Sequence, residues 1–539
     1  MDGASLLDVL ARRGRDGGDG PAFWWRGRPI PWRLFAERTE SVARGLRTRG
    51  VGRGDRVLLA AAAGDTFLPT FWGALLAGAV AVPMLPRSGA ARLLEVAAWL
   101  EAAGIVADRD PAERWSPLAA GAAAAGRWLV DGDEAATGAN GQGTLPAAPL
   151  DDDVAFLQLT SGTTGEPKAV RVRHRDLRTN VAQMMAGFDV TSRDVFFSWL
   201  PLHHDMGLIL MSVVPLAAGC ALHLEAPGMA AIRGWMDEVS RHGATFTAAP
   251  DFAYRLCLRL ARRRSALESD LDLSRLRVAL DAAEPVRAST VAAFESAFGV
   301  GPVIAPAYGL AEATVGVTTW PPGTPIQVDE RGFVAVGRGF PGVRLRIGSE
   351  RAPLPAGEVG EVLVASPALA DGYWGEPRSE QRLAEGAPGS DGGGERWLAT
   401  GDLGHLDAEG NLYVVGRAKE VLSVGGLTLA PREIEETVDR LPFVRRSAAV
   451  GIDRGRLEGE QAFVFVEVAR GARGDLEDHS AAVVAAFHER LGMRPGRVCL
   501  VEPGTIPRTA NGKVRYAELR RLYLEGELAR GGALLFPEA

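Results

Sequence analysis

The stretch LTSGTTGEPKAV, Leu159 to Val170, gathers residue types that suit phosphate. Three threonines (Thr160, Thr163, Thr164) and Ser161 supply hydroxyls, and Gly162 and Gly165 supply backbone freedom. Free backbone N–H groups in such a loop form a concavity for phosphate oxygens. Lys168 adds a point charge. The pattern is not a Walker loop, G-x-x-x-x-G-K-[ST]. Counting from Gly162, the sixth residue is Pro167, and Ala169 follows the lysine where Ser or Thr is required. A polar turn with no ligand is the bland reading of the same residues.

Such a loop needs firm elements on both sides. The apolar run VAFLQL (154–159) precedes it, and AVRVRH (169–174) alternates like a strand after it. The loop is therefore expected at the exit of a strand. Further strand-like runs are DRVLLAAAA (55–63), GATFTAAP (243–250) and LRVALDAAEP (276–285). Amphipathic stretches such as STVAAFESAFG (289–299) lie between them. This alternation predicts an α/β fold with buried sheets. The Gly- and Ala-rich segments 131–149 and 385–396 read as surface connections. APLPAGEVGEVLV (352–364) reads as a turn and a strand. After GNLYVVGR (410–417) the chain becomes more charged, with its own strand QAFVFVEV (461–468). That texture divides the chain into a large N-terminal part, 1–416, and a small α+β C-terminal part, 417–539.

The bulk properties exclude several classes. At 539 residues the chain exceeds one hydrophobic core. It is 47% hydrophobic and 24% charged, with a net charge of −7 and no long basic block, which argues against a nucleic-acid partner. Cys220, Cys257 and Cys499 are scattered, as expected in a reducing, cytoplasmic compartment. The N-terminus lacks the pattern of a signal peptide. FLPTFWGALLAGAVAVPMLP (67–86) is broken by Pro and Gly, so a buried helix followed by a buried strand is expected, not a membrane span.

Several motifs, in order along nearly the whole chain, resemble the adenylate-forming enzyme superfamily: acyl-CoA synthetases, fatty acyl-AMP ligases and related adenylation domains. The resemblance implies that Thr160, Ser161, Gly162, Thr163, Thr164, Gly165 and Lys168 form a loop over the β- and γ-phosphates of ATP. WLPLHHDMGLI (199–209) is similar to a fatty acyl-AMP ligase motif, with His203 where an aromatic residue is usual. His204 and Asp205 then line the acyl or nucleotide pocket. A metal site there is disfavoured, because adjacent residues do not converge on one ion. TFTAAPDFAYRLC (245–257) implies a carboxylate pocket with Pro250, Phe252 and Tyr254, although both rings could be plain core. Small Ala248 and Ala249 suggest room for an apolar acyl group.

The resemblance further implies that Ala283 and Glu284, in DAAEPV (281–286), flank adenine, with Ala282 where glycine is common. In AYGLAEAT (307–314), Tyr308 and Gly309 meet the base and Glu312 holds Mg2+, a hard cation suited to oxygen ligands. Asp402 takes the ribose hydroxyls, and Arg417 contacts ribose or phosphate. A hinge falls near Glu420, and Gly425–Gly426 resemble the pantetheine-tunnel loop. Lys513, in PRTANGKVRYAEL (507–519), bridges the attacking carboxylate and the α-phosphate; its bland reading is a surface lysine beside a turn.

The implied chemistry is attack of a carboxylate on the α-phosphorus of ATP, with loss of pyrophosphate. Transfer of the acyl group to a pantetheine thiol follows, on coenzyme A or an acyl carrier protein. An insertion common in fatty acyl-AMP ligases after YGLAEAT is missing from 318–342. An adenylation-only chain working with a partner ligase, a non-catalytic nucleotide binder and a phosphotransferase are the alternatives.

Overall fold

Runs that are apolar at every position become central parallel strands, because helices cover both faces of the sheet. The computed structural model describes residues 4–109, 115–137, 145, 148–161, 167–261, 271–349, 352–376, 383–385, 396–424, 427–454, 460–472, 474–508 and 514–537. Phe246–Ala249 and Val278–Asp281 are buried at every residue and pair in parallel. They lie at the centre of a nine-stranded sheet that runs from Arg338–Gly339 at one edge to Arg28–Pro31 at the other. A six-stranded sheet ends in the antiparallel pair Val154–Ser161 and Pro167–Arg173. The molecule is thus an α/β fold.

Register sets the position of the site. Ala249, Asp281 and Pro306 stand side by side on three parallel strands. The loops that follow, at 250–252, 282–284 and 310–313, therefore emerge at one end of the sheet. In parallel sheets the crevice beyond these carboxyl ends is where ligands bind. In the six-stranded sheet Thr160 faces Lys168 across the antiparallel pair.

The run 67–86 is a buried helix, Gly64–Leu76, followed by the strand Val80–Pro83, with Phe67, Phe71 and Trp72 in the core. No helix among the described residues is long and apolar enough to cross a membrane. One surface expectation needs correcting. Segment 131–149 includes the helix Gly132–Thr137, whose Ala135 is fully buried; its carbonyl lies 2.0 Å from where a Cβ on Gly45 would sit. Alanine-rich composition resembled a linker, but small side chains also permit this close helix contact.

A further antiparallel sheet holds the long strand Arg396–Leu406, paired with Leu412–Arg417. Beyond it, Val444–Asp453, Glu460–Val468, Arg497–Val501 and Leu534–Phe536 form a four-stranded sheet. Helix Leu476–Leu491 covers one face, and its Val483 and Phe487 join Val464, Val466 and Leu500 in a separate hydrophobic cluster.

Candidate functional site

The lysine of the phosphate-suited loop belongs to a network. Lys168 Nζ lies 2.9 Å from Glu376 Oε1 and 4.3 Å from the centre of the Tyr373 ring. The Tyr373 hydroxyl donates to Glu312 Oε1 at 2.6 Å. Glu312 sits in the short 3-10 turn Ala311–Ala313, directly after the strand Ile304–Gly309. Gly309 is needed at that exit: a Cβ would lie 1.9 Å from the Val315 carbonyl oxygen. Thr160 and the Ser161 backbone close the strand on the other side of the loop. Gly162, Thr163, Thr164 and Gly165 lie outside the described residues.

A second network starts one strand position earlier. The Tyr308 hydroxyl donates to Asp402 Oδ2 at 2.5 Å. Asp402 and Arg417 are direct cross-strand partners, so their ion pair, 2.8 Å at Arg417 Nε, follows from register. Burial, then the Asp402 charge, pushes the Tyr308 phenol well above its ordinary value, so it remains a donor. Burial opposes the Arg417 charge, but Asp402, Tyr308 and Glu312 together raise its pKa. Tyr308 lies on the strand Ile304–Gly309 and Glu312 in the turn Ala311–Ala313 that follows it, which sets the two networks side by side.

The third part is more apolar. Asp205 caps the π-helix Met206–Val213, accepting from Met206 N at 2.8 Å. π-Helical turns often occur at functional sites. Burial, with His204 adjacent, pushes His203 down to about 3, so it is a neutral ring. Gln158, on the strand leading to the glycine loop, donates to the His203 carbonyl at 3.1 Å. This ties the His203–His204–Asp205 corner to the phosphate side. Pro250 and Phe252 are half-buried, and the Phe252 N–H donates to Glu284. Ala283, next to that glutamate, has φ 71°, a strained backbone that glycine would relieve.

Tyr254 lies one layer deeper than Phe252. It is fully enclosed between Trp235 and Phe294, and its hydroxyl donates to the Leu280 carbonyl at 2.8 Å. Ala248 and Ala249 are likewise sealed. Lys513, Gly425 and Gly426 lie outside the described residues. Arg508, earlier in the Lys513 motif, is described. Burial pushes its guanidinium down, against the opposing charges of Glu284 and Glu467.

The sequence reading did not single out Tyr373, Glu376 or Asp251. Asp251 is buried and binds Arg255 at 2.7 Å and the Arg287 N–H at 3.2 Å. Tyr373 and Glu376 stand about two hundred residues after Lys168 in DGYWGEP, where no spacing signal links them to it. Among the described residues no three His, Cys, Asp or Glu side chains gather into a metal cage. Glu312 is a lone carboxylate, which fits a hard divalent cation taking its other oxygens from phosphate and water.

A model of the family described as AMP-binding enzyme matches residues 10–374. The chain is 32% identical to the putative ligase Rv1013 of Mycobacterium tuberculosis, over 90% of this chain and 93% of that one. It is 30% identical to the long-chain-fatty-acid–AMP ligase FadD23 of the same species, over 93% and 92%. Among solved structures, one described under structural and functional studies of fatty acyl-adenylate ligases from E. coli and L. pneumophila superposes with a TM-score of 0.84 at 26% identity, covering 98% of this chain and 99% of that one.

Proposed function

The chain belongs to the AMP-binding enzyme family, and we propose that it activates a carboxylic acid, fatty or otherwise apolar, as an acyl-adenylate. Attack of the carboxylate oxygen on the α-phosphorus of ATP forms the acyl–phosphate bond, and the bond to pyrophosphate breaks. The observation that carries this reading is the adjacency of two networks, Lys168–Tyr373–Glu312 and Tyr308–Asp402–Arg417, at one end of the parallel sheet. One offers charge for phosphates, the other a ring for a base and a carboxylate for ribose.

In this reading Lys168 and the loop around it orient the pyrophosphate end, which fixes the leaving group in line. Tyr308 covers adenine, with Gly309, Ala283 and Glu284 along the edge of the base. Asp402 takes the ribose hydroxyls, held in place by Arg417. Glu312 would hold Mg2+, which would supply positive charge to the phosphate oxygens. Lys513 brings a second charge to the α-phosphate, where negative charge builds. His204, Asp205, Pro250 and Phe252 border the acid, and Tyr254 supports them from the core.

The second half-reaction passes the acyl group to a pantetheine thiol, of coenzyme A or an acyl carrier protein, and releases AMP. The named relatives, fatty-acid–AMP ligases, favour such a two-step ligase over a non-catalytic nucleotide binder. Residues 417–539 turn as a unit between the steps. Cys220, Cys257 and Cys499 are all buried and form no disulfide, as suits a reducing cytoplasm.

The test is pyrophosphate release with ATP, Mg2+ and a panel of carboxylic acids, with and without coenzyme A. Acid-dependent release is expected, and an acyl-CoA product identifies the acceptor. ADP or phosphate in place of pyrophosphate would overturn the reading.

A further inference from the structure

The segment 369–376 is stitched between the strand Pro167–Arg173 and the turn Ala311–Ala313. Its backbone pairs with the strand that carries Lys168: Arg171 N donates to Gly372 O at 2.7 Å and Trp374 N to Ala169 O at 2.8 Å, with a bridge between Val170 and Tyr373. On its other side Ala370 N donates to the backbone carbonyl of Glu312 at 2.9 Å. Tyr373 is therefore fixed by main chain to both neighbours, and its side chain meets both functional groups. The ring face takes the Lys168 ammonium and the hydroxyl takes the Glu312 carboxylate. Glu376 completes the arrangement as the counter-charge of Lys168.

Lysine usage supports a special role for Lys168. Of 60 lysines and arginines only three are lysine: Lys168, Lys419 and Lys513. An ammonium at 168 is thus retained in a chain that otherwise uses arginine. A ring-bound, compact charge of this kind suits lysine, whose donors rotate, better than a planar guanidinium.

Resting on the nucleotide reading of Lys168 and Glu312, we infer that Tyr373 is a positioning residue that holds these two groups in register. Glu376 is a built-in counter-ion on Lys168 that the incoming nucleotide phosphate displaces. The Lys168–Glu376 pair is about one-third exposed on each side, so it is weak enough to yield to a multiply charged phosphate. It is close enough to keep the ammonium over the ring in the meantime.

The test uses Glu376→Gln and Tyr373→Phe in the full chain, with thermal melts to confirm folding. The probe is α,β-methylene-ATP, followed by calorimetry with and without Mg2+. A second readout is the rate at which an amine-acetylating reagent labels Lys168 in ligand-free protein, read by peptide mass spectrometry; three lysines make that assignment clean. Glu376→Gln is expected to speed labelling and to tighten the analogue by about two- to five-fold. Tyr373→Phe keeps the ring, so metal-free binding stays unchanged, while the tightening produced by Mg2+ shrinks by about five-fold or more. Unchanged labelling and affinity in Glu376→Gln, or a full Mg2+ effect in Tyr373→Phe, overturns the inference. Failure of the analogue to protect Lys168 in the parent protein instead removes the phosphate reading beneath it.

Discussion

Asp281 shows how one carboxyl can be dictated by position alone. It ends a central strand, is fully buried, and neither of its oxygens has a partner among the described residues. Burial, then Asp251 and Glu284, pushes its pKa well above the ordinary value of 3.8. The folded state therefore holds this proton more tightly than the unfolded chain does. Below the ordinary value both states are protonated and the group costs no ionisation energy. As pH rises past it, the unfolded carboxyl ionises while the buried one does not, so stability falls until the folded pKa is reached. Asp281→Asn removes that slope. The expected result is a stability gain over the parent that widens from pH 4 to pH 8 in denaturant melts; a gap independent of pH would contradict it. The sequence placed Asp281 beside a ligand loop, but its burial and lack of partners needed the strand register.

At the scale of elements, the His203–Asp205 corner depends on a wide helix. The Met206–Val213 segment is π-helical, and Ser212 Oγ donates to the Gly207 carbonyl at 2.9 Å, five residues back. Gly207 is required by contact: a Cβ there would sit 2.3 Å from the Pro201 carbonyl oxygen. Gly207→Ala must push the turn and strand apart. Overpacking of this kind costs about 1–3 kcal/mol. The expected outcome is a lower melting temperature, together with a larger loss of acid-dependent activity than of nucleotide binding, because His204 and Asp205 move first. Equal melting of variant and parent would sink the packing argument. The motif WLPLHHDMGLI was legible, yet its π-helical turn was not. A π-turn and an α-turn share the same apolar pattern over eight residues, and tertiary contact selects between them.

Across the whole molecule, residues beyond 420 meet the rest through charge. Arg287 lies 3.4 Å from Asp439, Arg331 lies 2.8 Å from Glu433, and Arg432 donates to the Val286 carbonyl. Behind this seam sits Glu435, buried on the helix Pro431–Val438. It accepts from Ala449 N at 3.1 Å and from the Tyr516 hydroxyl at 3.2 Å, with Asp439 and Arg287 the charged groups facing it. Burial pushes its pKa from 4.5 up to about 7. Its contribution is fully present below about 4.5 and is lost as pH rises through about 7. Glu435→Gln should therefore flatten the pH dependence of thermal stability between those values. An unchanged pH slope would mean that another group controls it.

The sequence by itself determined the α/β alternation, the buried helix–strand unit at 64–83, and the family to which the chain belongs. These follow from local periodicity and from motifs that are continuous in the chain. It left Tyr373, Glu376, Asp251 and the depth of Tyr254 undetermined, and it read the helix at 132–137, which is anchored by the buried Ala135, as a surface connection. Tertiary structure decided these. Lys168 and Glu376 are 208 residues apart, and Tyr308 and Asp402 are 94 apart. Pairings at such separations are set by strand register and by which segments share a sheet edge. The physical reason is that side-chain type is a local property, whereas distance and burial arise only when remote strands are brought into register.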